Sequence, residues 1–369
     1  MRYYILDDVV DPLTGEALRV ENATVEQRPG TPGIRCERWC GRYGCAVGER
    51  QPAQQCTCSD DWIVSGELVS AHSRYPIVAG IPRLLPDAAT AETGDATLSA
   101  EIQHTFGYEW EAFDAMLPEY AAALQTYFRP VPDELLAGSL VLDAGCGMGR
   151  WARYIADKPI RRLYAIDFSR AIDRAADTLA AHNNAHCLQA DIRHLPFRAE
   201  TFDFIYSLGV LHHLVNPDEG MGSLVRGLKP DGGLLVYLYY ALDNRPAFFR
   251  WLLRIVSGIR MVTSRLPKPI MHRLAVLIAA GIYWPLARFA GLLERAGAGR
   301  VARQVPLHEY HRYSFKYMVT DAFDRFATPI EKRYTRRQIR AWLAGYGLEA
   351  TFSDSAPFWS VLARRPHSG

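Results

Sequence analysis

The chain has 369 residues, of which 49% are apolar and 22% charged, with a net charge of +2. These proportions fit a globular protein of about two domains and exclude a chain that is disordered, collagen-like or coiled-coil throughout. No uncharged apolar run reaches 18 residues and the N-terminus is acidic, which argues against a membrane span and a signal peptide. The small net charge argues against a general nucleic-acid binder. We therefore expect a cytoplasmic protein with no nucleic-acid partner.

Residues 1–86 are predicted to form a small cysteine-rich β domain. Five of the seven cysteines lie there, and frequent glycine and proline indicate strands and turns. In a reducing compartment such a cluster favours a structural metal site over disulfides, and four thiolates suffice for tetrahedral zinc. Zinc, an iron–sulfur cluster and no metal all remain open. The candidate ligands are Cys36, Cys40, Cys45, Cys56 and Cys58.

A linker and a larger α/β domain are predicted to follow. Residues 87–98 are small and polar, which is typical of a linker. A helical pattern begins near residue 100, and from residue 139 strands and helices alternate. That alternation predicts a parallel sheet with helices on both faces, and we place this domain at 99–369.

The first strand of this domain runs into the glycine-rich segment 143–149, which opens a helix. Glycines let a ligand approach the backbone, and the acid Asp167 after the next strand suits ribose hydroxyls. Arg150 stands where the dinucleotide fingerprint needs its third glycine. Asp143 would repel a pyrophosphate but stabilise an ammonium or sulfonium group. The pattern therefore predicts a nucleoside with a cationic, amino-acid-like tail, as in S-adenosylmethionine.

Residues 139–240 resemble class I S-adenosylmethionine-dependent methyltransferases. The segments VLDAGCGMG (141–149), AIDFS (165–169) and DFIYSLGVLHHL (203–214) are similar to the family's first, second and fourth motifs. The likeness is greatest to the small-molecule branch that includes the ubiquinone and menaquinone enzymes. It implies a Rossmann-like, mostly parallel sheet of seven strands. Segment 75–86 resembles the closing strand of short zinc-ribbon domains, although the usual opening cysteine pair is missing here.

The resemblance also implies which residues hold the methyl donor. Tyr108 and Trp110 would cover the pocket, with ordinary core packing as the alternative. The glycine loop would surround the methionine part. Asp167 would hold the ribose and Asp191 would accept from the adenine amino group. The end of the fourth strand would line the sulfonium side. The remaining residues of this set are Asp143, Gly145, Gly147, Gly149, Phe168, Ile192, Ser207 and Leu208.

Two pairs of histidines are candidate general bases for the methyl acceptor. His212 and His213 follow the fourth strand, at the carboxyl edge where α/β sheets bind ligands. Capping or packing is the alternative for either of them. His308 and His311 lie near the end of a long insertion, where related enzymes place a substrate lid. A solvated polar loop is the alternative there.

The insertion, residues 244–333, is predicted to be helical and strongly basic. Between Arg245 and Arg303 there are eleven Lys/Arg and one acid. Residues 248–266 separate into an apolar and a basic helical face, and Leu274–Ala287 is an uncharged apolar stretch too short to span a membrane. A cap over the pocket is one interpretation. The other is a membrane-surface element, residues 248–287, on the inner face of the membrane.

Taken together, the patterns predict methyl transfer from S-adenosylmethionine to oxygen, carbon or nitrogen of a small-molecule or lipid-like acceptor. The alternative is a non-catalytic protein that binds S-adenosylmethionine and serves as a partner of another protein. The intact glycine loop and ribose acid favour the enzyme.

Overall fold

The computed structural model of the chain describes residues 1–28, 30, 36–49, 56–86, 93–243, 245–353 and 359–366. Its N-terminal part contains a buried 3-10 helix, Tyr3–Asp7, and six strands. These strands are β1 (Arg19–Gln27), β2 (Trp39–Cys40), β3 (Cys45–Ala46), β4 (Asp61–Val69), β5 (Arg74–Val78) and β6 (Ile81–Leu84).

The larger part alternates strands with helices. Its strands are β7 (Leu140–Ala144), β8 (Arg162–Asp167), β9 (Ala185–Ala190), β10 (Phe202–Leu208), β11 (Leu228–Tyr237), β12 (Glu349–Phe352) and β13 (Val361–Arg364). The helices up to β11 are α1 (Thr93–Ala112), α2 (Glu119–Tyr127), α3 (Ala152–Ala156), α4 (Ala171–Thr178) and α5 (Pro217–Gly227). The later helices are α6 (Ala247–Thr263), α7 (Lys268–Ile278), α8 (Trp284–Arg295), α9 (Gly299–Ala302), α10 (Phe315–Ala327) and α11 (Arg336–Gly345).

Eleven of these strands form one sheet, in the order β1-β4-β5-β6-β9-β8-β7-β10-β11-β13-β12. The pairs from β6 through β9, β8, β7 and β10 to β11 are parallel, and the pairs at both ends are antiparallel. Strands β7 and β8 are buried at every residue, as expected for strands covered on both faces. The predicted α/β, Rossmann-like and mostly parallel sheet is therefore confirmed.

The predicted number of seven strands is wrong for this sheet. Strand β6 pairs in parallel with β9, with Arg83 opposite Gln189 and Leu84 opposite Ala190. Without β6, the edge of β9 would present unpaired backbone N–H and C=O groups. Strands β5, β4 and β1 continue outward from β6, so the strands of the predicted cysteine-rich domain extend the central sheet. Its boundary at residue 86 stays a prediction.

The predicted linker, residues 87–98, is partly helical. Residues 87–92 lie outside the described part of the chain, and helix α1 begins at Thr93 instead of near residue 100. The small residues that suggested a linker include alanines, which have the highest helix propensity of all residues. In this segment, an abundance of small residues therefore does not distinguish a linker from a helix.

The insertion between β11 and α11 contains helices α6 to α10. Helices α7 and α8 join through the π-helical turn Ala279–Tyr283 into one helical stretch, Lys268–Arg295. By length and composition this stretch could cross a membrane, with a mean hydropathy of 1.6 and 22% of that window buried. The stretch judged too short to span, Leu274–Ala287, ends at the charged residues Arg273 and Arg288. The helix itself continues beyond both arginines.

One face of this helical stretch packs against the protein. Its buried side chains recur at every fourth residue, which places them on one stripe of the helix. They share an apolar cluster with Met318, Ala322 and Phe323 of α10. A helix with one packed face and one open face is expected to lie along a surface. The packed stripe is Met271, Ala275, Ala279, Tyr283 and Ala287.

A buried ion pair ties the first residues of the chain to β8. Arg162 donates to Asp8 at 2.6 Å, and the Tyr164 hydroxyl donates to the same carboxylate oxygen at 2.7 Å. Both partners of the ion pair are buried, with side-chain exposures of 9% for Arg162 and 7% for Asp8. Because a buried carboxylate is costly without its cation, this contact fixes the N-terminal segment on the sheet.

We expect Arg162→Ala to lower the free energy of unfolding by about 3–5 kcal/mol, since Asp8 would lose its buried cation. The matched control is Arg161→Ala, which breaks an ion pair with Glu37 whose side chains are 41% and 69% exposed. That change is expected to cost less than about 1 kcal/mol. Urea denaturation of both variants measures the difference. Equal losses in the two variants would contradict the structural role of the Asp8–Arg162 pair.

Candidate functional site

A cavity of about 550 Å³ opens at the carboxyl ends of the central parallel strands. Its floor is formed by the glycine loop after β7 and by the residues that follow β8 and β9. Its opposite wall comes from the helical insertion. This is the edge at which open α/β sheets bind ligands. Floor residues that were predicted from the sequence are Gly145, Gly147, Asp167, Phe168, Asp191, Ile192 and Leu208.

The glycine loop adopts a backbone conformation that requires glycine. Gly145 has φ +87° and Gly147 has φ +55°, values that other residues rarely adopt. The N–H groups of Gly145 and Cys146 both donate to the Ile166 carbonyl, at 2.9 and 2.8 Å. A Cβ atom on Gly147 would lie 2.9 Å from the Trp110 indole nitrogen, so a side chain does not fit there.

Gly149 has a different role from the other two glycines. A Cβ atom at this position would lie 3.2 Å from the Cα of Ala175 on α4. Gly149 is absent from the residues that line the cavity. It therefore allows the loop and α4 to pack closely, and its predicted contact with the methionine part stays a prediction.

Asp167 holds the glycine loop in place. One carboxylate oxygen accepts from the Gly147 N–H at 2.9 Å. The other accepts from the N–H and the hydroxyl of Ser169, at 2.8 and 2.7 Å. Burial raises the pKa of Asp167 above its usual range, while these hydrogen bonds oppose that shift. A carboxylate has about four acceptor positions, so one remains on the oxygen that faces Gly147.

Asp143 lies behind the loop and does not line the cavity. Its carboxyl is 1% exposed and accepts a hydrogen bond from the Tyr206 hydroxyl at 2.9 Å. Burial raises the pKa of Asp143 to about 8. Ser207 is also behind the wall, where its hydroxyl donates to the Ala144 carbonyl at 2.9 Å. Any effect of Asp143 or Ser207 on a ligand would be indirect in this arrangement.

The side of the cavity predicted to bind adenine is formed by Phe168, Asp191 and Ile192. The Phe168 carbonyl accepts from the side-chain amides of Gln103, at 2.6 Å, and Gln189, at 3.0 Å. The Asp191 carboxylate is paired with Arg193, whose Nη2 lies 2.7 Å from Oδ2. An adenine amino group would therefore share Asp191 with a guanidinium.

Helix α1 covers the cavity with Trp110 but not with Tyr108. Trp110 lines the cavity, and the Arg150 guanidinium lies 4.6 Å from its ring centroid. Tyr108 instead stacks on Phe323, with ring centroids 5.7 Å apart. The predicted pair is therefore divided between the cavity wall and the apolar cluster of the insertion.

The two adjacent histidines have different environments. His212 is fully buried and stacks on Tyr239 at 4.0 Å, and burial lowers its pKa well below the usual range. His213 lines the cavity. Its Nδ1 lies 2.7 Å from the Ile330 carbonyl, and its Nε2 lies 3.9 Å from an Asp324 oxygen. Since the carbonyl requires a proton on Nδ1, Nε2 of a neutral ring carries the lone pair.

Several polar residues of the cavity were not predicted from the sequence as site residues. Nine tyrosines line it, including Tyr239, whose hydroxyl donates to Asp324 at 2.6 Å. Glu109 lines it as well, is 1% exposed, and has an oxygen with no hydrogen-bond partner among the described residues. Burial raises the pKa of both Glu109 and Asp324. Tyr237 and Tyr239 sit at the carboxyl edge of β11, a signal that could have identified them.

The insertion contributes an apolar wall. Leu252 and Val256 of α6 and Ile278 and Leu286 of the 268–295 stretch line the cavity. Three further lining residues are also open to solvent. Their exposed fractions are 40% for Ile255, 47% for Ile259 and 50% for Ile282. The rim of the cavity is therefore apolar at the insertion.

The second pair of histidines lies on the 3-10 helix His308–Arg312. His308 lines the cavity, whereas His311 does not. Both rings contact Glu294, with distances of 2.8 Å from His308 Nε2 and 2.9 Å from His311 Nε2 to its two oxygens. They are therefore part of an ordered cluster and not of a solvated polar loop.

Four of the five clustered cysteines converge. The sulfurs of Cys40 and Cys58 are 3.7 Å apart and those of Cys36 and Cys56 are 3.8 Å apart. All four lie within 4.8 Å of one another, and Cys45 is not a member of this group. A tetrahedron with zinc–sulfur bonds of about 2.3 Å has edges of about 3.8 Å, so the spacing fits a tetrahedral ion.

Comparison with known proteins finds a family match over the strands that surround the glycine loop. Residues 142–236 match the family model described as a methyltransferase domain. Over 140 residues the chain is 29% identical to a tRNA (carboxymethyluridine(34)-5-O)-methyltransferase of Arabidopsis thaliana, covering 36% of this chain and 33% of that protein.

Two other relatives have different names. A malonyl-(acyl-carrier protein) O-methyltransferase of Salmonella typhimurium is 35% identical over 132 residues, covering 35% of this chain and 51% of that protein. A sterol 24-C-methyltransferase of Schizosaccharomyces pombe is 31% identical over 143 residues, covering 37% of this chain and 36% of that protein. The chain spans between about a third and a half of the length of these relatives.

The names of these relatives refer to a tRNA, a malonyl-(acyl-carrier protein) and a sterol. They do not support the expectation that nucleic acid is excluded as a partner, and the predicted ubiquinone-type branch stays a prediction. What the names of these relatives share is methyl transfer. Residues 142–236 are therefore a methyltransferase domain.

Proposed function

We propose that the protein transfers a methyl group from S-adenosylmethionine to a lipid-like acceptor that enters from a membrane surface. One observation carries this proposal: the cavity above the glycine loop opens at an apolar rim formed by Ile255, Ile259 and Ile282. A water-soluble acceptor needs no exposed isoleucines at its entrance. An acceptor with an apolar tail would keep that tail on the rim while its polar end reaches the floor.

The floor of the cavity fits the donor. Gly145 and Gly147 line it without side chains, with Val210 and Trp110 packed against their backbone. The lining residue Asp167 keeps a free acceptor position for a ribose hydroxyl. Bound there, S-adenosylmethionine would supply an electrophilic methyl group on a positively charged sulfur. The protein's own part is to hold the donor against Phe168 and Ile192 and to exclude water with Trp110.

We expect Asp167→Ala to weaken binding of S-adenosylmethionine about 10- to 150-fold. The change removes a charge-assisted hydrogen bond, worth about 1.5–3 kcal/mol, and the anchor of the Gly147 N–H. Isothermal titration calorimetry with the full chain measures the affinity. The matched control is Asp177→Ala, on the exposed side of α4 with a side-chain exposure of 76%. Unchanged affinity in Asp167→Ala would contradict the proposed position of the donor.

We propose His213 as the general base for a hydroxyl or acidic carbon of the acceptor. Its Nδ1 is held by the Ile330 carbonyl, which directs the lone pair of Nε2 toward Asp324 and the cavity. The 3.9 Å between Nε2 and the Asp324 oxygen exceeds hydrogen-bond distance, and neither atom has a hydrogen-bond partner among the described residues. An acceptor proton between them would be removed by Nε2, with Asp324 as a positioning residue.

The activity is tested with S-adenosylmethionine tritiated on the methyl group and a total cell extract. We expect label in the chloroform–methanol phase, and a 10²- to 10⁴-fold slower rate (roughly the contribution of a general base) for His213→Ala with unchanged donor affinity. The control is His212→Phe, which keeps a ring stacked on Tyr239. Label in RNA or only in the aqueous phase would overturn the lipid-like acceptor. Donor binding without label in any fraction would support the non-catalytic alternative.

The exposed surface of the insertion supports membrane contact. Fourteen of the nineteen large apolar side chains that the described residues expose lie between Phe248 and Val301, including Trp251 at 64% and Leu277 at 68%. The same segment carries eight more positive than negative charges. An RNA surface would use the charges but not the aliphatic side chains, whereas an anionic membrane uses both. Because one face of the 268–295 helix is packed on α10, we propose contact along the surface instead of a span.

We expect Arg250→Glu with Arg254→Glu to weaken binding to vesicles of phosphatidylglycerol and phosphatidylcholine at least about 30-fold at low salt. Each basic residue near an anionic surface contributes about 1 kcal/mol, and both are exposed on α6. Co-sedimentation measures the bound fraction. The control is Lys158→Glu with Arg337→Glu, the same charge change outside the insertion. If wild type does not bind these vesicles at low salt, the membrane proposal is wrong.

We propose a structural zinc ion for the four converging cysteines Cys36, Cys40, Cys56 and Cys58. Their spacing fits tetrahedral thiolate coordination, in which no position stays open for a substrate. We expect Cys58→Ser to lose about one zinc ion per chain by elemental analysis, because three thiolates bind zinc much less tightly. Cys45→Ser is the control and should keep the ion. A wild-type metal content near zero would refute this site.

A further inference from the structure

A second set of metal-ligand side chains lies on the insertion, away from the cysteines and the glycine loop. It consists of Glu294 at the end of α8 and of His308 and His311 on the following 3-10 helix. One ligand atom from each of the three lies within 4.8 Å of the others. The side chains are 29%, 6% and 14% exposed in that order. Three ligand groups therefore meet in a largely buried place.

The hydrogen bonds of the two rings define where their lone pairs point. His311 Nδ1 lies 2.6 Å from the His308 carbonyl, an acceptor, so Nδ1 carries the ring proton. His308 Nδ1 lies 3.2 Å from a Glu309 oxygen, again an acceptor. In the neutral rings both Nε2 atoms then present lone pairs to the two oxygens of Glu294, and His311 Nε2 also accepts from Nε of Arg312 at 3.3 Å.

The Arg312 contact is to His311, so the close approach of His308 Nε2 to Glu294, at 2.8 Å, still needs positive charge between the nitrogen and the oxygen. Two additional protons would create two imidazolium ions with ring centroids 5.1 Å apart in a mostly buried place. A single divalent cation satisfies both Nε2 atoms and Glu294 at once. Histidines that bind metals typically have Nδ1 held by a carbonyl or carboxylate, as both rings have here.

We infer that Glu294, His308 and His311 bind a divalent transition-metal ion of the zinc type. Two imidazole nitrogens and one carboxylate oxygen are a ligand set that zinc accepts, and three protein ligands leave a fourth position for water or a ligand oxygen. Gly291 of α8 permits the approach, since a Cβ there would lie 3.3 Å from the Cβ of His311. The ion joins α8 to the 3-10 helix at the wall of the cavity, because His308 and Glu309 are lining residues.

The experiment counts ions in the full-length chain after chelation and reconstitution with zinc or cobalt(II). We expect about two ions per wild-type chain and about one in His308→Ala with His311→Ala. Cys58→Ser should also retain about one ion, whose cobalt spectrum lacks thiolate charge-transfer bands. His104→Ala, an exposed histidine of α1, is the control and should keep the wild-type number.

Folding and metal loss are separated by a second variant and a second readout. Glu294→Gln keeps the side-chain volume and removes the charge, so it should lose the ion without unfolding. Zinc should raise the melting temperature of Cys58→Ser, because an ion that binds only the folded state stabilises it, and should not raise that of Cys58→Ser with Glu294→Gln. A wild-type chain with the same ion content as the double histidine variant would overturn the inference. A Cys58→Ser chain without metal would do so as well.

Discussion

The position of the cavity floor depends on a hydrogen bond between the end of one strand and the loop that follows its neighbour. The carboxylate of Asp167, at the end of β8, accepts from the N–H of Gly147, in the loop that follows β7. Ser169 occupies the other oxygen, so the carboxylate cannot rotate away from the loop. A loop whose glycines have positive φ values would sample many conformations without such an anchor. The anchored loop then supplies a fixed surface on which Trp110 of α1 packs.

Above this floor, polarity changes with distance from the sheet. The inner part has the buried Glu109, the partly exposed Asp324 and tyrosine hydroxyls, all of which offer hydrogen bonds. The outer part has aliphatic side chains from α6 and from the 268–295 helical stretch. Polar groups beside the sheet and apolar groups at the rim suit a molecule with one polar and one apolar end. The proposed acceptor class follows from this order and not from the methyltransferase domain alone.

The methyltransferase part was largely predictable because its signals are local. Strand, glycine turn, helix and acid follow each other within 140–167, and local backbone preferences position them. The polar wall was not predictable in the same way. Glu109, Tyr239 and Asp324 come from separate elements, and no local pattern shows that three such side chains share a cavity. Their convergence depends on how α1 and α10 pack against the sheet, which is a property of the tertiary structure.

The added strands and the metal ligands also depend on tertiary packing that a local sequence pattern does not show. The segment Ile81–Leu84 was recognisable as a strand, but its parallel pairing with β9 depends on which edge of the sheet is free. Likewise, five cysteines in the sequence could not indicate which four meet. Cys45 lies in the short hairpin beside Cys40 and still remains outside the group, because the partners of Cys40 and Cys36 come from the segment before β4.

The open face of the insertion has a consequence for the behaviour of the protein in water. Side chains such as Trp251, Val262 and Leu277, each more than 60% exposed, form an apolar surface that lipid would cover. Without lipid, the same surface is available to a second copy of the chain, since contact between two such faces removes apolar area from water. In concentrated solutions the protein should therefore self-associate through this face. Mild detergent should reverse the self-association, and dilution alone should reverse it more slowly.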